Sequence, residues 1–574
     1  MPTTIRVWAP AATQVDAEVD SQRYPMTANE RGWWSASVNA RAGATYGFSL
    51  DGGEVLPDPR SAWQPDGVHG LSRLVDHMQF AWRATQWRGR ELLGQLIYEL
   101  HVGTFTPQGT FDAAIQRLDH LVDLGVDFVE LLPVAAFPGR NGWGYDGVFL
   151  YAVQDSYGGP AGLKRLVDAC HSRGLGVVLD VVYNHLGPDG NVLHAFGPYL
   201  TDTFSTPWGE AVNYCGPGSD DVRRYVIDNA LMWLRDYQID ALRLDAVHAI
   251  LDTSATHILE ELAAEVAALS EEVGRPLALV AESDLNDPRL ITARDAGGYG
   301  LDAQWSDDFH HALHAVVTRE SFGYYEDFGA IEQLATALKR GYVYAGEFAP
   351  HRDRRHGRPL PASVTGHRLL GYIQDHDQIG NRAAGDRLCA LVSPQLVKVA
   401  AALVLTAPFT PMLFMGEEWA ASTPWQYFTD HEDPELAEAV RAGRRGEFKA
   451  FGWRHEDVPD PQHPATIERS TLNWDELTLP PHASMLAWYR DLIALRRGQL
   501  ELADGRFDRV EVDFDEKERW LVIRRPSTVV AVNFAPRPCA LDVEASSVLL
   551  ASADAALRAT RLTLPPESVA VLRR

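Results

Sequence analysis

The sequence predicts an α/β protein: a (β/α)8 TIM barrel flanked by an N-terminal and a C-terminal β-sandwich. Three observations carry that prediction. At 574 residues the chain has room for about three domains, one of them large. The residue pattern changes character twice, near residues 88 and 497, which divides the chain into 1–88, 89–497 and 498–574. Within the middle segment, near-continuous apolar runs alternate with stretches of helical period, as buried parallel strands and their covering helices do.

In the first segment, Thr4–Trp8, Gln14–Val19, Trp33–Val38 and Thr45–Leu50 are β-branched or aromatic runs separated by Pro, Gly and Asn at sandwich-like spacing. In the middle segment eight strands are predicted: Leu96–Phe105, Asp127–Val134, Val177–Tyr183, Ala241–Val247, Leu277–Ala281, Ala303–Phe309, Leu369–Gln374 and Met412–Met415. Helices fall between them at Phe111–Leu124, where Ile115, Leu118, Leu121 and Leu124 share a face, and at Leu163–Arg173, Val222–Tyr237 and His257–Val273. Met485–Arg496 closes the barrel. The longest apolar run, Val399–Met415, is interrupted by Pro408 and Pro411 and is too short for a bilayer span, so it reads as a buried helix leading into a strand. The charged stretch 435–449 reads as a helix with a solvated face. In the tail, Trp520–Arg524, Val529–Phe534, Val548–Leu550 and Val569–Leu572 are the strands of a small sandwich.

Composition narrows the function. Fifty-two Lys and Arg against 78 Asp and Glu give a net charge of −26, which repels nucleic acid and anionic membranes and suits a neutral substrate. Neither nucleic acid nor a membrane is therefore expected as a partner. Cys170, Cys215, Cys389 and Cys539 are scattered and form no CxxC pair, which argues against a zinc site. Sparse cysteines and an opening, MPTTIRVWAP, without a charged segment followed by an apolar one point to the cytoplasm. No Asp-rich calcium loop is evident, and no metal or cofactor is expected. The 16 Trp are mostly core side chains, with some free to stack on sugar rings.

Four predicted strand ends carry polar clusters, where the loops that form barrel active sites begin. They are DVVYNH (Asp180 to His185), ALRLDAVH (with Arg243, Asp245 and His248), AESD (with Glu282) and IQDHDQIGN (with His376 and Asp377). Each has an ordinary reading: a strand-end Asp often caps a helix, and Arg243 with Asp245 would make a structural ion pair. Together they suit glycosidic cleavage. One carboxylic acid protonates the leaving oxygen, and a carboxylate on the opposite face attacks carbon-1 or activates water. Arg243 and Asp245, two apart on one strand, share its inner face, so the guanidinium keeps Asp245 ionised. Glu282 follows an apolar run and has carboxylates nearby, both of which raise its pKa, as a general acid needs. His185 and His376 are candidate donors to sugar hydroxyls.

These four motifs resemble the conserved regions of the α-amylase family, over about 89–574. The resemblance implies Asp245 as nucleophile, Glu282 as acid/base and Asp377 as the third, charge-stabilising carboxylate, with Asp180, His185, Arg243 and His376 in support. RVWAP at 6–10 resembles the opening of the carbohydrate-binding, immunoglobulin-like β-sandwich that precedes the barrel in branching, debranching and trehalose-forming members. LIYELHVGTFTPQGTF (96–111), NGWGYDGVFLYAVQDSYGGP (141–160), TPWGEAVNY (206–214), AQWSDDFHHALH (303–314) and PMLFMGEEW (411–419) resemble members that cut the α-1,4 bond next to the terminal trehalose of maltooligosyltrehalose. Free trehalose and a shorter maltooligosaccharide would then be the products, and the synthase that builds the terminal trehalose a pathway partner, with no physical complex implied. Walls for the trehalose side are expected at Trp143, Tyr145, Asp146, Trp208, His248, Asp308, His310 and His311. Two positions depart from the family. Asp375 stands where many members have Asn, adding a carboxylate beside Asp377, and His248–Ala249 stands where many amylases have Lys–His. The rivals are a glucan branching enzyme, sharing barrel and chemistry, and a non-catalytic glycan-binding scaffold.

Overall fold

The computed structural model describes residues 3–449 and 458–574. Eight strands close into a barrel: β1 Ile97–Leu100, β2 Phe128–Leu131, β3 Gly176–Val181, β4 Ala241–Leu244, β5 Ala278–Ala281, β6 Ala303–Trp305, β7 Leu369–Gly371 and β8 Thr410–Phe414. Each pairs in parallel with its neighbour in sequence, and β8 pairs with β1. The closed α/β barrel is the predicted one. Most strands are shorter than their apolar runs. The run 303–309 is strand only to Trp305; Asp307–Thr318 is a helix, its first turn carrying Asp307 and Asp308, which the helix dipole favours. Likewise Val102–Phe105 turns helical, and the predicted helix over 111–124 is two, Phe111–Ile115 and Leu118–Leu124.

The period of two along each strand layers the interior. Ile97, Phe128, Val178, Ala241, Val280, Ala303, Leu370 and Met412 form one buried apolar cluster inside the barrel. Two residues further along the first four strands stand Glu99, Glu130, Asp180 and Arg243, all buried. Register places Glu99 beside Glu130 and Asp180 beside Arg243. The barrel is thus apolar below and carries a charged layer above. Gly176 is required by this packing, since a Cβ there would lie 2.3 Å from the Phe128 ring on the adjacent strand.

Each end of the chain forms two antiparallel sheets. The N-terminal pair contains Thr3–Trp8 with Trp33–Val38, and Val15–Val19 with Thr45–Leu50. The C-terminal pair contains Trp520–Arg524, Thr528–Asn533 and Ser568–Arg573 in one sheet, Cys539–Asp542 and Arg561–Leu564 in the other. Both are pinned to the barrel. Trp8 meets Tyr199 edge to face at 5.3 Å, Trp33 Nε1 donates to Asp221 at 2.9 Å, and Arg60 pairs with Asp228 at 2.9 Å. At the other end, Arg519 and Arg525 donate to the carbonyls of Val316 and Thr406 at 2.7 and 3.0 Å. No helix among the described residues is long and apolar enough to cross a membrane.

Candidate active site

Above the charged layer, at the C-terminal ends of the strands, lies a cavity of about 600 Å³. Its walls include Trp143, Tyr145, Asp146, His185, Trp208, Asp245, His248, Glu282, His376 and Asp377. Arg243 and Asp180 lie beneath its floor, buried at the ends of β4 and β3.

Arg243 organises the floor. Its Nη1 donates to Asp180 Oδ2 at 2.8 Å and to Asp245 Oδ1 at 2.6 Å, while its Nη2 lies 3.7 Å from Glu282 Oε2. The guanidinium also lies 4.4 Å from the centre of the Trp305 ring, which forms its underside. The other oxygen of Asp245 accepts from Asn184 Nδ2 at 2.8 Å. Both carboxylate oxygens are therefore held by donors.

Directly after Asp245, Ala246 sits in the left-handed region at φ 38°, uncommon for a residue with a Cβ. Its N–H donates to Glu282 Oε2 at 2.6 Å. Burial drives the pKa of Glu282 well above the usual carboxylate range; Arg243 opposes this, and Asp245, Asp307 and Asp377 add to it. Glu282 is thus a protonated carboxyl beside a doubly anchored carboxylate. Asp180 is also raised, to about 6, by burial working against Arg243.

The far wall is a relay of contacts. Glu99 accepts from the backbone N–H of His376 at 3.0 Å and from its Nδ1 at 2.5 Å. The His376 Nε2 lies 2.7 Å from the Tyr145 hydroxyl, which donates to Asp180 Oδ2 at 2.6 Å. Burial alone would discharge His376, but Glu99 and Asp377 outweigh it and push its pKa up to about 10. His376 is therefore an imidazolium, donating from both nitrogens. Asp377 projects into the cavity with 43% of its side chain exposed. Asp375 caps the short helix His376–Gly380, its carboxyl accepting from Gln378 N–H at 2.6 Å, as an Asn could equally do. Burial and Glu99 raise its pKa well above the usual range, so it stands protonated and adds no charge beside Asp377.

Trp208, on the tip between Leu200–Thr206 and Gly209–Val212, stacks on His185 at 4.7 Å and 10°. Trp143 stacks on Trp425 at 5.3 Å and lies so close over Gly380 that a Cβ there would come within 1.9 Å of it. Three expected wall residues are elsewhere. Asp308 accepts from Asn286 Nδ2 and from the N–H groups of Val343 and Tyr344 at 2.7 to 2.9 Å, fixing a loop. His310 is packed between His314 and Tyr372, and His311 against Tyr324 and Phe328. None of the three lines the cavity. They ride on the helix that begins at Asp307, and its turn carries them away from the strand end.

Other residues reach the site unannounced. Asn381, Tyr427, Val440, Gly443 and Arg444 line the cavity, the last three from the helix Pro434–Lys449, whose reading as a solvated face is thereby corrected. Glu99 and Glu130 carried a legible signal: an acid inside an otherwise apolar strand, IYEL and FVEL. Among the described residues no cluster of three or more His, Cys, Asp or Glu is arranged to hold a metal ion.

Residues 69–195 match the model of the alpha amylase catalytic domain, and 505–571 match a domain of unknown function, DUF3459. The chain is 54% identical over 99% of its length to a malto-oligosyltrehalose trehalohydrolase from Arthrobacter ramosus, covering 99% of that protein. It is 31% identical to a 1,4-alpha-glucan branching enzyme from Vibrio parahaemolyticus, over only 55% of this chain and 47% of the other. Among solved structures, one from Salmonella typhimurium assigned as an alpha amylase superposes with a TM-score of 0.91 at 37% identity, covering 99% of this chain and 97% of that one.

Proposed function

The chain belongs to the malto-oligosyltrehalose trehalohydrolases of the α-amylase family, and from that premise we propose how its cavity works. It is a retaining glycoside hydrolase that cleaves the α-1,4-glucosidic bond next to the terminal trehalose of maltooligosyltrehalose. The products are trehalose and a shorter maltooligosaccharide. The observation that carries this reading is identity of 54% along the whole chain to a relative of that name, against a partial match to a branching enzyme.

In the first half of the reaction, Glu282 gives its proton to the glycosidic oxygen as the bond to carbon-1 breaks. Asp245 attacks carbon-1 from the opposite face, and trehalose leaves as a neutral alcohol. In the second half, the ionised Glu282 takes a proton from water, whose oxygen attacks carbon-1 and releases Asp245. The two donors on Asp245, Arg243 and Asn184, hold its carboxylate in place for that attack. Glu282 needs a proton at neutral pH, and its burial supports that role. Asp377, with the imidazolium of His376 beside it, takes hydroxyls of the reacting sugar and faces the positive charge that develops there. His185, Tyr145, Trp143, Asp146, His248 and Trp208 form the walls that orient the glucan. Four unpaired cysteines support a cytoplasmic enzyme, with the synthase of the terminal trehalose upstream of it.

The test is product analysis with maltotriosyltrehalose and, separately, maltopentaose. Fast trehalose release from the first and slow attack on the second is the expected result. Longer branched products would make the chain a transferase, equal attack on both a general amylase, and no attack on either a scaffold.

A further inference from the structure

We infer that Gly443 is a specificity-determining residue: the side chain it lacks is the space into which a sugar ring of the substrate packs. The inference rests on reading the cavity as a glucan site. On the helix Pro434–Lys449, Val440, Gly443 and Arg444 line the cavity, and their spacing of three and four puts them on one helix face. That helix is a fixed wall. At its approach, the N–H groups of Glu432 and Asp433 donate to Asp189 Oδ2 at 3.2 and 3.4 Å. Arg441 pairs with Asp460 at 3.1 Å. Arg444 donates to the carbonyl of Gly380, on the short helix that carries His376 and Asp377, and its guanidinium lies 5.1 Å over the Tyr427 ring.

A glycine inside a helix costs about 1 kcal/mol against alanine, so its presence needs a reason. Packing among the described residues supplies none: beyond its own helix backbone, a Cβ on Gly443 would meet none of their atoms within 4 Å. The open space it would enter is the cavity. Bare backbone beside the methyls of Val440 offers the C–H face of a sugar ring a flat apolar surface. The same helix contains its own control. Gly446 is equally unobstructed, yet does not line the cavity.

Steady-state kinetics on maltotriosyltrehalose would compare wild type with Gly443→Ala, Gly443→Leu and Gly446→Leu, each checked by thermal melting. Both leucine variants should melt at or above wild type, because leucine is the better helix former. The kcat/KM of Gly443→Leu should fall about tenfold or more, mainly through KM, with Gly443→Ala between it and wild type, while Gly446→Leu stays within about twofold. Equal kinetics for Gly443→Leu and Gly446→Leu, whether both normal or both impaired, would overturn the inference. If wild type itself releases no trehalose, it is the reading of the cavity that fails, and the wild-type arm shows this before any variant is compared.

Discussion

Arg243 meets three carboxylates with one guanidinium that water does not reach, and the chemistry assigned to Asp245 and Glu282 depends on how it is shared. It touches Asp245 at hydrogen-bond distance and Glu282 only at 3.7 Å, and burial raises the pKa of Glu282 well above the usual carboxylate range. Asp245→Ala should lower turnover by at least about four orders of magnitude in a protein that still folds; appreciable residual turnover would remove Asp245 from the nucleophile role. Glu282→Gln should lose activity on natural substrate but regain much of it on an aryl maltoside with a good leaving group, which needs no protonation. Asp307 offers a finer probe. Burial pushes its pKa up to about 7 against the hydrogen bond from Tyr372, and its charge in turn raises Glu282. Asp307→Asn should therefore move the alkaline limb of the kcat/KM profile to lower pH and leave the acid limb in place. The stability effect has a definite sign. A carboxyl raised from 3.8 to about 7 in the folded state loses stability for the protein as pH rises through that window, so the Asn variant should melt higher than wild type above pH 7. Asp245 and Glu282, the proposed nucleophile and acid, were legible because each stands at the end of an apolar run. Glu99 was visible as an acid inside an apolar strand, but its role and that of Asn184 were not, since their partners His376 and Asp245 are remote in sequence and only the closed barrel brings them together.

At the scale of elements, strands were easier to read than their ends. A run such as Val177–Tyr183 is buried on both faces and cannot be mistaken, but a strand stops where its neighbour stops donating, which no local pattern records. The sixth strand shows the consequence: reading it through Phe309 placed Asp308, His310 and His311 at a strand end, whereas a helix carries them off. The helix Pro434–Lys449 shows the converse. Its charged composition describes its solvent side accurately, and its role at the cavity follows from where the connection after β8 folds. Helix Pro480–Gly498, which closes the barrel, holds the end of helix Pro394–Thr406 and the approach to β8 through Arg496, whose guanidinium donates to the carbonyls of Leu405, Ala407, Phe409 and Leu502 at 2.8 to 3.3 Å. Burial, with Arg525 acting in the same direction, lowers the pKa of Arg496 to about 9. Arg496→Leu leaves those carbonyls without a donor and should cost about 3 kcal/mol or more. Differential scanning fluorimetry would show the fall in melting temperature, with kcat/KM of the soluble protein close to wild type; an unchanged melt would deny Arg496 this role.

Across the whole molecule, the terminal sheets are joined to the barrel by aromatic and ionic contacts. Removing residues 1–88 would expose Phe196, Tyr199 and Tyr225, all at most 3% exposed, and leave Asp228 without Arg60. We expect that truncation to yield insoluble protein; a soluble, active remainder would mean the sheets are independent. The same burial sorts the sixteen tryptophans. Among the described residues Trp208 alone is exposed, at 48%, and it is the one that stacks over the cavity on His185. Among the described indoles two line the cavity, Trp208 exposed at its mouth and Trp143 buried in its wall, so Trp208 is the red-emitting one of the pair. In the Asp245→Ala variant, expected to be inert, a glucan entering the cavity should blue-shift the Trp208 component. Titrating it would give dissociation constants without turnover, and Trp208→Phe should remove the blue shift, leaving at most the response of Trp143.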